Sequence, residues 1–224
     1  MDKTAPLELG PKPITIPPGQ RIWFTSDTHF GHRNIMTYCD RPGSTIEEHD
    51  EMLIENWNAV VGEDDIVFHL GDFAFAPDKR WKELVGRLNG HIYLILGNHD
   101  VVRWPGRVVM STFDGVAQQA ILKIEGRTVI LNHYPFLCYG GTYKGEQGAV
   151  WQLFGHVHTK DIGVKGQDDV RVAMRFPYQY DVGVDNNGYA PISWEGVKAK
   201  IEAQYREYVK QEYVKQEYAR GRDV

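Results

Sequence analysis

The chain has 224 residues, enough for one α/β domain, and a formal net charge of −5 at pH 7 that argues against an extended nucleic-acid-binding surface. Its two cysteines, Cys39 and Cys138, lie far apart and form no CxxC pair, which argues against a disulfide framework and fits a reducing cytoplasm. No apolar run is long enough for a membrane span, and the Pro-rich start has no apolar core of an export signal, so no membrane partner is expected.

The first part of the chain alternates strand and helix patterns. Residues 1–20 are rich in proline and predict an extended arm. Apolar runs and helical spacing then predict, in order, strand Arg21–Ser26, helix Thr45–Val61, strand Asp65–Leu70, helix Asp78–Leu88 and strand His91–Leu96. Such alternation is typical of a layered α/β fold.

The second part is predicted to continue with strands and to end in a long helix. Strands at Val116–Ile124 and Thr128–Leu131 flank Glu125-Gly126-Arg127, which indicates a hairpin. Two more strands are expected at Trp151–Phe154 and Asp181–Val184, and Ser193 is the expected N-cap of the last helix. We therefore expect a single domain over 1–224, with an arm (1–20), a catalytic core (21–192) and a C-terminal helix (193–224).

The last helix contains a pentad repeat, Glu-Tyr-Val-Lys-Gln, at 207–211 and 212–216, with a partial third copy from 217. A step of five residues turns about 500° around a helix, so the tyrosines spiral and form no single seam. Two interpretations stay open: a solvated helix, or a contact surface for a homo-oligomer or another partner.

Five polar motifs follow predicted strands, where ligands gather in open α/β sheets. They are Asp27-Thr28-His29, Gly71-Asp72, Gly97-Asn98-His99-Asp100, His133 and Gly155-His156-Val157-His158. In extended backbone, residues two apart project to the same side, so each Xaa-x-His pair can reach one ion. Any single histidine could instead belong to the core or a loop, but together the motifs supply ligands for two metal ions. Mixed carboxylate, imidazole and amide ligands suit Mn, Fe, Zn, Co or Ni better than an all-oxygen site.

The order of these motifs resembles the calcineurin-like metallophosphoesterase superfamily. Ser26-Asp27-Thr28-His29-Phe30-Gly31-His32 and His69-Leu70-Gly71-Asp72-Phe73 are similar to its small single-domain bacterial and phage members. The resemblance implies an α/β fold, namely a four-layer α-β-β-α sandwich of two mixed β-sheets flanked by helices.

The resemblance also implies roles for the motif residues. One ion would be held by Asp27, His29, Asp72 and His158, and the other by Asp72, Asn98, His133 and His156, so that Asp72 bridges. The two divalent ions would be manganese first, with Fe, Zn, Ni, Co or Mg as alternatives. His99 would be the catalytic histidine beside the scissile phosphate, and Asp100 would orient or polarise it.

The expected activity is hydrolysis of phosphodiester bonds in a small nucleotide or cyclic nucleotide, by a hydroxide that the metals share, with His99 assisting. Phe75 stands where purple acid phosphatases have a tyrosine ligand, and Phe-Ala-Phe-Ala after Asp72 differs from protein Ser/Thr phosphatases. Repair nucleases of the superfamily have an additional DNA-capping domain, and we expect that the 224 residues leave no length for one. The alternatives are a phosphomonoesterase and a catalytically silent binding scaffold.

Several residues near the motifs have weaker signals. His32, Arg33 and Asn34 follow the first ligand pair and are expected to contact substrate, or else to serve loop structure. His69 is expected in the core or behind the ligands, and His49 and His91 at the surface. Residues 140–148, with Tyr143 and Lys144, predict either a rim loop or an ordinary connector. Arg171 and Arg175 have no predicted place.

Overall fold

The computed structural model describes residues 7–10, 12–101, 110–141, 150–158 and 177–220, with the backbone alone for 110 and 212–220. Most of the predicted rim loop, including Tyr143 and Lys144, lies outside these residues, as do Arg171 and Arg175. Within the described part, no helix has the length and apolar character that crossing a membrane requires.

The strands of the described part are β1 (Ile14–Thr15), β2 (Ile22–Thr25), β3 (Ile66–His69), β4 (His91–Ile95), β5 (Gly115–Ala117), β6 (Gln119–Ile124), β7 (Arg127–Asn132), β8 (Trp151–Phe154), β9 (Gln179–Asp181) and β10 (Ile192–Ser193). Its α-helices are α1 (Arg33–Tyr38), α2 (Ile46–Val60), α3 (Asp78–Val85), α4 (Asn98–Val101) and α5 (Trp194–Arg220).

The described strands form two five-stranded mixed sheets, with orders β10-β2-β3-β4-β5 and β1-β6-β7-β8-β9. In the first sheet β2 to β5 run parallel and β10 is antiparallel. In the second sheet only the β6–β7 pair is antiparallel. The predicted fold class, α/β with two mixed sheets flanked by helices, is confirmed. The polar motifs follow the carboxyl ends of β2, β3 and β4 in the first sheet and of β7 and β8 in the second, where each of these two sets of strands is parallel.

The core lies between the sheets and beneath the helices. Phe24 and Phe68 from the first sheet pack in one cluster with Leu122 and Leu153 from the second. A second cluster joins the other face of the first sheet to α2 and α3, through the side chains of Val67, Leu94, Leu53, Trp57, Trp81 and Leu84. Strand β3 is buried at every position, as expected of a parallel strand that is covered on both faces.

Helix α5 begins where the sequence predicts. The Ser193 hydroxyl accepts a hydrogen bond of 3.1 Å from the Gly196 backbone N–H, so Ser193 is the N-cap. Its first turns bury Trp194, Val197 and Ile201 in the core between the sheets. The oligomeric contact suggested for its distal part stays a prediction.

Two strand predictions are corrected. Val116–Ile124 is not one strand, because β5 pairs with β4 in one sheet and β6 pairs with β7 in the other. The chain therefore changes sheets at Gln118, as strands do at the corner of a sandwich. The strand predicted at Asp181–Val184 ends at Asp181, whose Oδ1 accepts the Gly183 N–H and turns the chain into a 3₁₀ helix, Val184–Asn186.

The predicted hairpin is confirmed. Ile124 pairs with Arg127, and the two residues between them, Glu125 and Gly126, have φ of 49° and 79°. Two left-handed central residues are the geometry of a type I′ turn, whose twist matches that of the strands.

Candidate metal centre

The loops that carry the motifs are joined by backbone hydrogen bonds at the edge of the sheets. The Asp27 N–H donates to the Gly71 carbonyl at 2.9 Å, and the His29 N–H donates to the Asp72 carbonyl at 3.0 Å. The His156 N–H reaches across from the second sheet and donates to Asp27 Oδ2 at 2.9 Å. The loops after β2, β3 and β8 therefore hold one another in place.

Five of the seven predicted ligands have a left-handed backbone. Their φ values lie between 47° and 72°, for Asp27, His29, Asp72, His156 and His158. This conformation costs roughly 1–2 kcal/mol for an L-residue, although Asp and His tolerate it better than most. Strained backbone of this kind concentrates at functional sites, where surrounding hydrogen bonds maintain it.

A first group of candidate ligand atoms belongs to Asp27, His29 and His158, and these atoms lie within 4.8 Å of one another. Asp27 and His29 are almost completely buried. Asp27 Oδ1 and His29 Nε2 are buried without any hydrogen-bond partner. Since burying unpaired polar atoms is costly, an ion that these atoms coordinate would account for both.

A second group joins Asp72, His133 and His156 at the same spacing. His133 Nδ1 lies 2.8 Å from the Leu70 carbonyl and must donate to it, because a carbonyl only accepts. His133 Nε2 is therefore unprotonated in the neutral ring, and it lies 3.0 Å from Asn98 Oδ1 and 3.5 Å from Asp72 Oδ2. An unprotonated nitrogen and two oxygen atoms each offer a lone pair, so a cation bound between these three atoms would be coordinated by all of them.

Asp72 lies between the two groups. Its Oδ2 is 3.6 Å from His29 Nε2 and 3.5 Å from His133 Nε2, and its Oδ1 accepts the His99 backbone N–H at 2.8 Å. Burial raises the pKa of Asp72 to about 7. The protein side chains alone therefore do not compensate for the desolvation of the ionised carboxylate, which a bound cation would stabilise. The buried acceptors and the mixed donor set fit two divalent ions that share this carboxylate.

The ring of His99 lies beside the candidate ligands. It is 5.2 Å from the His29 ring between centroids, and its ligand atom belongs to a group with those of His29 and Asp72. Burial lowers the pKa of His99. The ring is partly exposed, so a molecule bound at the metal centre could reach it.

The described hydrogen bonds of the Asp100 carboxylate go to backbone N–H groups around Asp72. One of its carboxylate oxygens accepts the N–H groups of Asp72 and Gly97, at 2.8 and 2.7 Å, and the other accepts the Phe73 N–H at 3.1 Å. The buried carboxylate therefore holds the Asp72 turn, and its charge also acts to raise the pKa of His99 against the larger effect of burial, so its expected polarising role stays a prediction.

Sequence reasoning missed two residues behind the first ligand group, Arg41 and Asp185. The buried Arg41 guanidinium donates to the carbonyls of Asp27 and Thr28, at 2.6 and 2.9 Å. It also makes a bidentate pair with Asp185, at 2.7 and 2.8 Å. Asp185 in turn accepts from His158 Nδ1 at 2.7 Å. A carboxylate behind a ligand histidine fixes which ring nitrogen can bind metal.

The expected substrate residues fall on one side of the centre. His32 is half-buried and its Nδ1 lies 3.2 Å from His29 Nδ1, while Arg33 and Asn34 are exposed at the start of α1. The structure brings His32 to the ligands but shows no contact of the next two side chains with them.

The predicted position is confirmed for His69 and wrong for His49. His69 is buried, as expected, and packs behind the ligand loops. His49 is also buried, with Nδ1 3.0 Å from the Pro42 carbonyl, so its predicted surface position is wrong. Its place on α2 between apolar neighbours could not be seen from composition.

The two packed mixed sheets, with Asp72 between two groups of His and Asp side chains that could hold metal, fit a metal-dependent hydrolase. The sequence model of the calcineurin-like phosphoesterases matches residues 20–185, and the chain belongs to that family. The predicted resemblance is thereby confirmed.

Three similar proteins have names that state no activity. An uncharacterized protein of Methanocaldococcus jannaschii is 34% identical over 185 residues, which cover 82% of this chain and 92% of that one. The gene 66 protein of Mycobacterium phage D29 is 31% identical over 188 residues, covering 73% and 87%. A protein of unknown function from Aquifex aeolicus shares the fold, with a TM-score of 0.60 and 23% identity over 81% of this chain and 99% of its own.

Proposed function

We propose that the chain uses two divalent metal ions to hydrolyse phosphodiester bonds of small nucleotides or cyclic nucleotides. Manganese is the metal that we propose in preference to others. The observation that carries this proposal is the position of Asp72 Oδ2, which lies 3.6 Å from His29 Nε2 and 3.5 Å from His133 Nε2. One ion would be held by Asp27, His29, Asp72 and His158, and the other by Asp72, Asn98, His133 and His156. Two divalent ions held by these residues would activate water as a nucleophile near neutral pH and draw charge from phosphoryl oxygens.

His99 is the residue of this chain that we assign to the leaving group. Its backbone N–H is anchored on Asp72 Oδ1, which fixes the start of α4, and its partly exposed ring stands beside His29. A ring N–H in that place can donate to a phosphoryl oxygen or protonate a departing alkoxide. Asp100 supports the reaction indirectly, since it holds the Asp72 and Gly97 backbone.

The charged side chains described around the centre support a diester rather than a monoester. Arg41 is the cation buried beside the first ligand group, and all its described hydrogen bonds go to backbone carbonyls and Asp185. It is therefore committed within the protein and cannot pair with a substrate. A diester carries one negative charge and a monoester up to two, so the diester needs less compensation from side chains, whereas the two ions would supply positive charge to either substrate.

The experiment compares bis-p-nitrophenyl phosphate with p-nitrophenyl phosphate, using metal-stripped protein to which Mn²⁺ is added. We expect Mn²⁺-dependent turnover with preference for the diester, and none in Asp72→Asn, which loses the shared charge. Preference for the monoester would replace the proposal with a phosphomonoesterase. A folded protein that binds Mn²⁺ but turns over neither substrate would be a scaffold.

A further inference from the structure

The imidazole rings of His32 and His29 are in direct contact. The proposed ligand role of His29 does not by itself require this contact. His32 Nδ1 lies 3.2 Å from His29 Nδ1, and the ring centroids are 5.2 Å apart. Two ring nitrogens at this distance share one hydrogen bond, so one carries the proton and the other accepts it.

The opposite nitrogen of His29 decides the direction of that bond. His29 Nε2 is buried without a hydrogen-bond partner and lies 3.6 Å from Asp72 Oδ2, so it is the nitrogen that faces the ions. A metal-binding nitrogen must be unprotonated, and a neutral imidazole then carries its proton on the other nitrogen. His29 Nδ1–H therefore donates to His32 Nδ1.

The same argument, one proton on each neutral ring, places the proton of His32. When its Nδ1 accepts, a neutral ring carries the proton on Nε2. The His32 ring is partly exposed, stacks on Phe75 with centroids 4.7 Å apart, and lies 5.8 Å from the His99 ring. Phe75 also contacts His99 edge-on, at 6.0 Å, so one aromatic ring supports both histidines. His32 Nε2–H is thus held on the same side of the metal centre as His99.

We propose that His32 has two roles at this centre, one through each nitrogen. Nδ1 accepts from His29 and turns His29 Nε2 toward its ion, and Nε2–H donates a hydrogen bond to a phosphoryl oxygen of the bound substrate. The second role rests on the phosphoesterase function proposed above, whereas the first depends only on metal binding.

Two substitutions separate the roles, because an asparagine amide reaches the place of Nδ1 and a glutamine amide reaches the place of Nε2. In His32→Asn, we expect Mn²⁺ affinity by calorimetry to stay near that of the wild type. Its affinity for inorganic phosphate, with Mn²⁺ bound, should fall about three- to tenfold, the loss of one neutral hydrogen bond. The KM for bis-p-nitrophenyl phosphate should rise by the same factor with little change in kcat.

In His32→Gln, we expect the reverse pattern. Mn²⁺ affinity should fall about tenfold or more, as when a ligand histidine loses its orienting partner. Phosphate affinity, measured at saturating Mn²⁺, should stay near that of the wild type. The matched control is His91→Gln, since His91 begins β4 at the end opposite the metal loops and pairs with Asp114.

Nitrogen-15 spectra of histidine in the zinc-loaded protein test the proton count itself. We expect His32 in the Nε2–H tautomer, identified by the signal that His32→Gln removes. A His32 ring protonated on Nδ1, or variants that bind both Mn²⁺ and phosphate as the wild type does, would overturn the proposal. Absence of turnover in the wild type would defeat the proposed function alone, because tautomer, Mn²⁺ affinity and phosphate affinity are read without it.

Discussion

Asp185 Oδ2 accepts a hydrogen bond of 2.7 Å from His158 Nδ1. Because that nitrogen carries the proton, Nε2 is the unprotonated nitrogen of the neutral ring, which is the form that a divalent ion binds. Arg41 holds the same carboxylate with two hydrogen bonds and also binds the carbonyls of Asp27 and Thr28. A single guanidinium thus ties the first ligand loop to the residue that orients a ligand from the last motif.

Asp185→Asn should weaken Mn²⁺ binding at one of the two positions by about 10–100-fold. The amide keeps the shape but loses the charge that favours the His158 tautomer, and one of its atoms must donate where Arg41 also donates. Calorimetric titration of metal-stripped protein checks this, with Asp114→Asn as the control because Asp114 pairs with His91 away from the centre. Unchanged affinity at both positions would contradict the assigned role of Asp185.

His99→Ala should harm substrates with poor leaving groups more than those with good ones. An alkoxide needs a proton as it departs, whereas p-nitrophenolate leaves without one. The comparison is kcat/KM for an alkyl and a p-nitrophenyl diester at fixed Mn²⁺. Equal losses on both substrates would show that the His99 ring contacts the phosphoryl oxygens instead of donating to the leaving group.

The sequence predicted those parts of the molecule that depend on local pattern. The strand ends carry the polar motifs, the hairpin turns at Glu125 and Gly126, and Ser193 caps the last helix, because each depends on neighbouring residues. Arg41 and Asp185 were missed because their bond joins residues 144 apart in the chain, which no local pattern records. The division of Val116–Ile124 between two sheets was missed for the same reason, since the choice of partner strand is tertiary.

The unfolding free energy of the metal-free protein should fall in acid partly because of His69. Its Nδ1 accepts the Gly71 N–H at 3.2 Å, and its Nε2 donates at 2.9 Å to Thr28 Oγ1, which itself donates to the Phe73 carbonyl. Burial lowers the pKa of His69 from 6.5 to about 3. Below pH 6.5 the unfolded chain therefore takes up a proton that the folded chain refuses, and stability is lost as pH falls toward 3.

His69→Gln keeps a donor near Thr28 but cannot titrate, so it removes this contribution. Urea titrations in EDTA between pH 6.5 and 4 should show a shallower pH dependence in the variant, by up to about 1.4 kcal/mol per pH unit. Only the slope is diagnostic, because the substitution can lower stability equally at every pH. Parallel slopes would mean that the folded protein admits the proton at His69.

Gly155→Ala should damage the metal centre by steric contact alone. A Cβ at Gly155 would overlap Ser26 Oγ and Asp27 Oδ2, whereas one at Gly140 would meet no atom within 4 Å. Neither glycine has a left-handed φ, so Gly140→Ala is a matched control for the change in backbone freedom. We expect Gly155→Ala to lose about 1–3 kcal/mol of unfolding free energy and to bind Mn²⁺ more weakly, because the Asp27 carboxylate must move. Mn²⁺ affinity equal to that of Gly140→Ala would show that the loops after β2 and β8 can separate without disturbing Asp27, and would contradict this prediction.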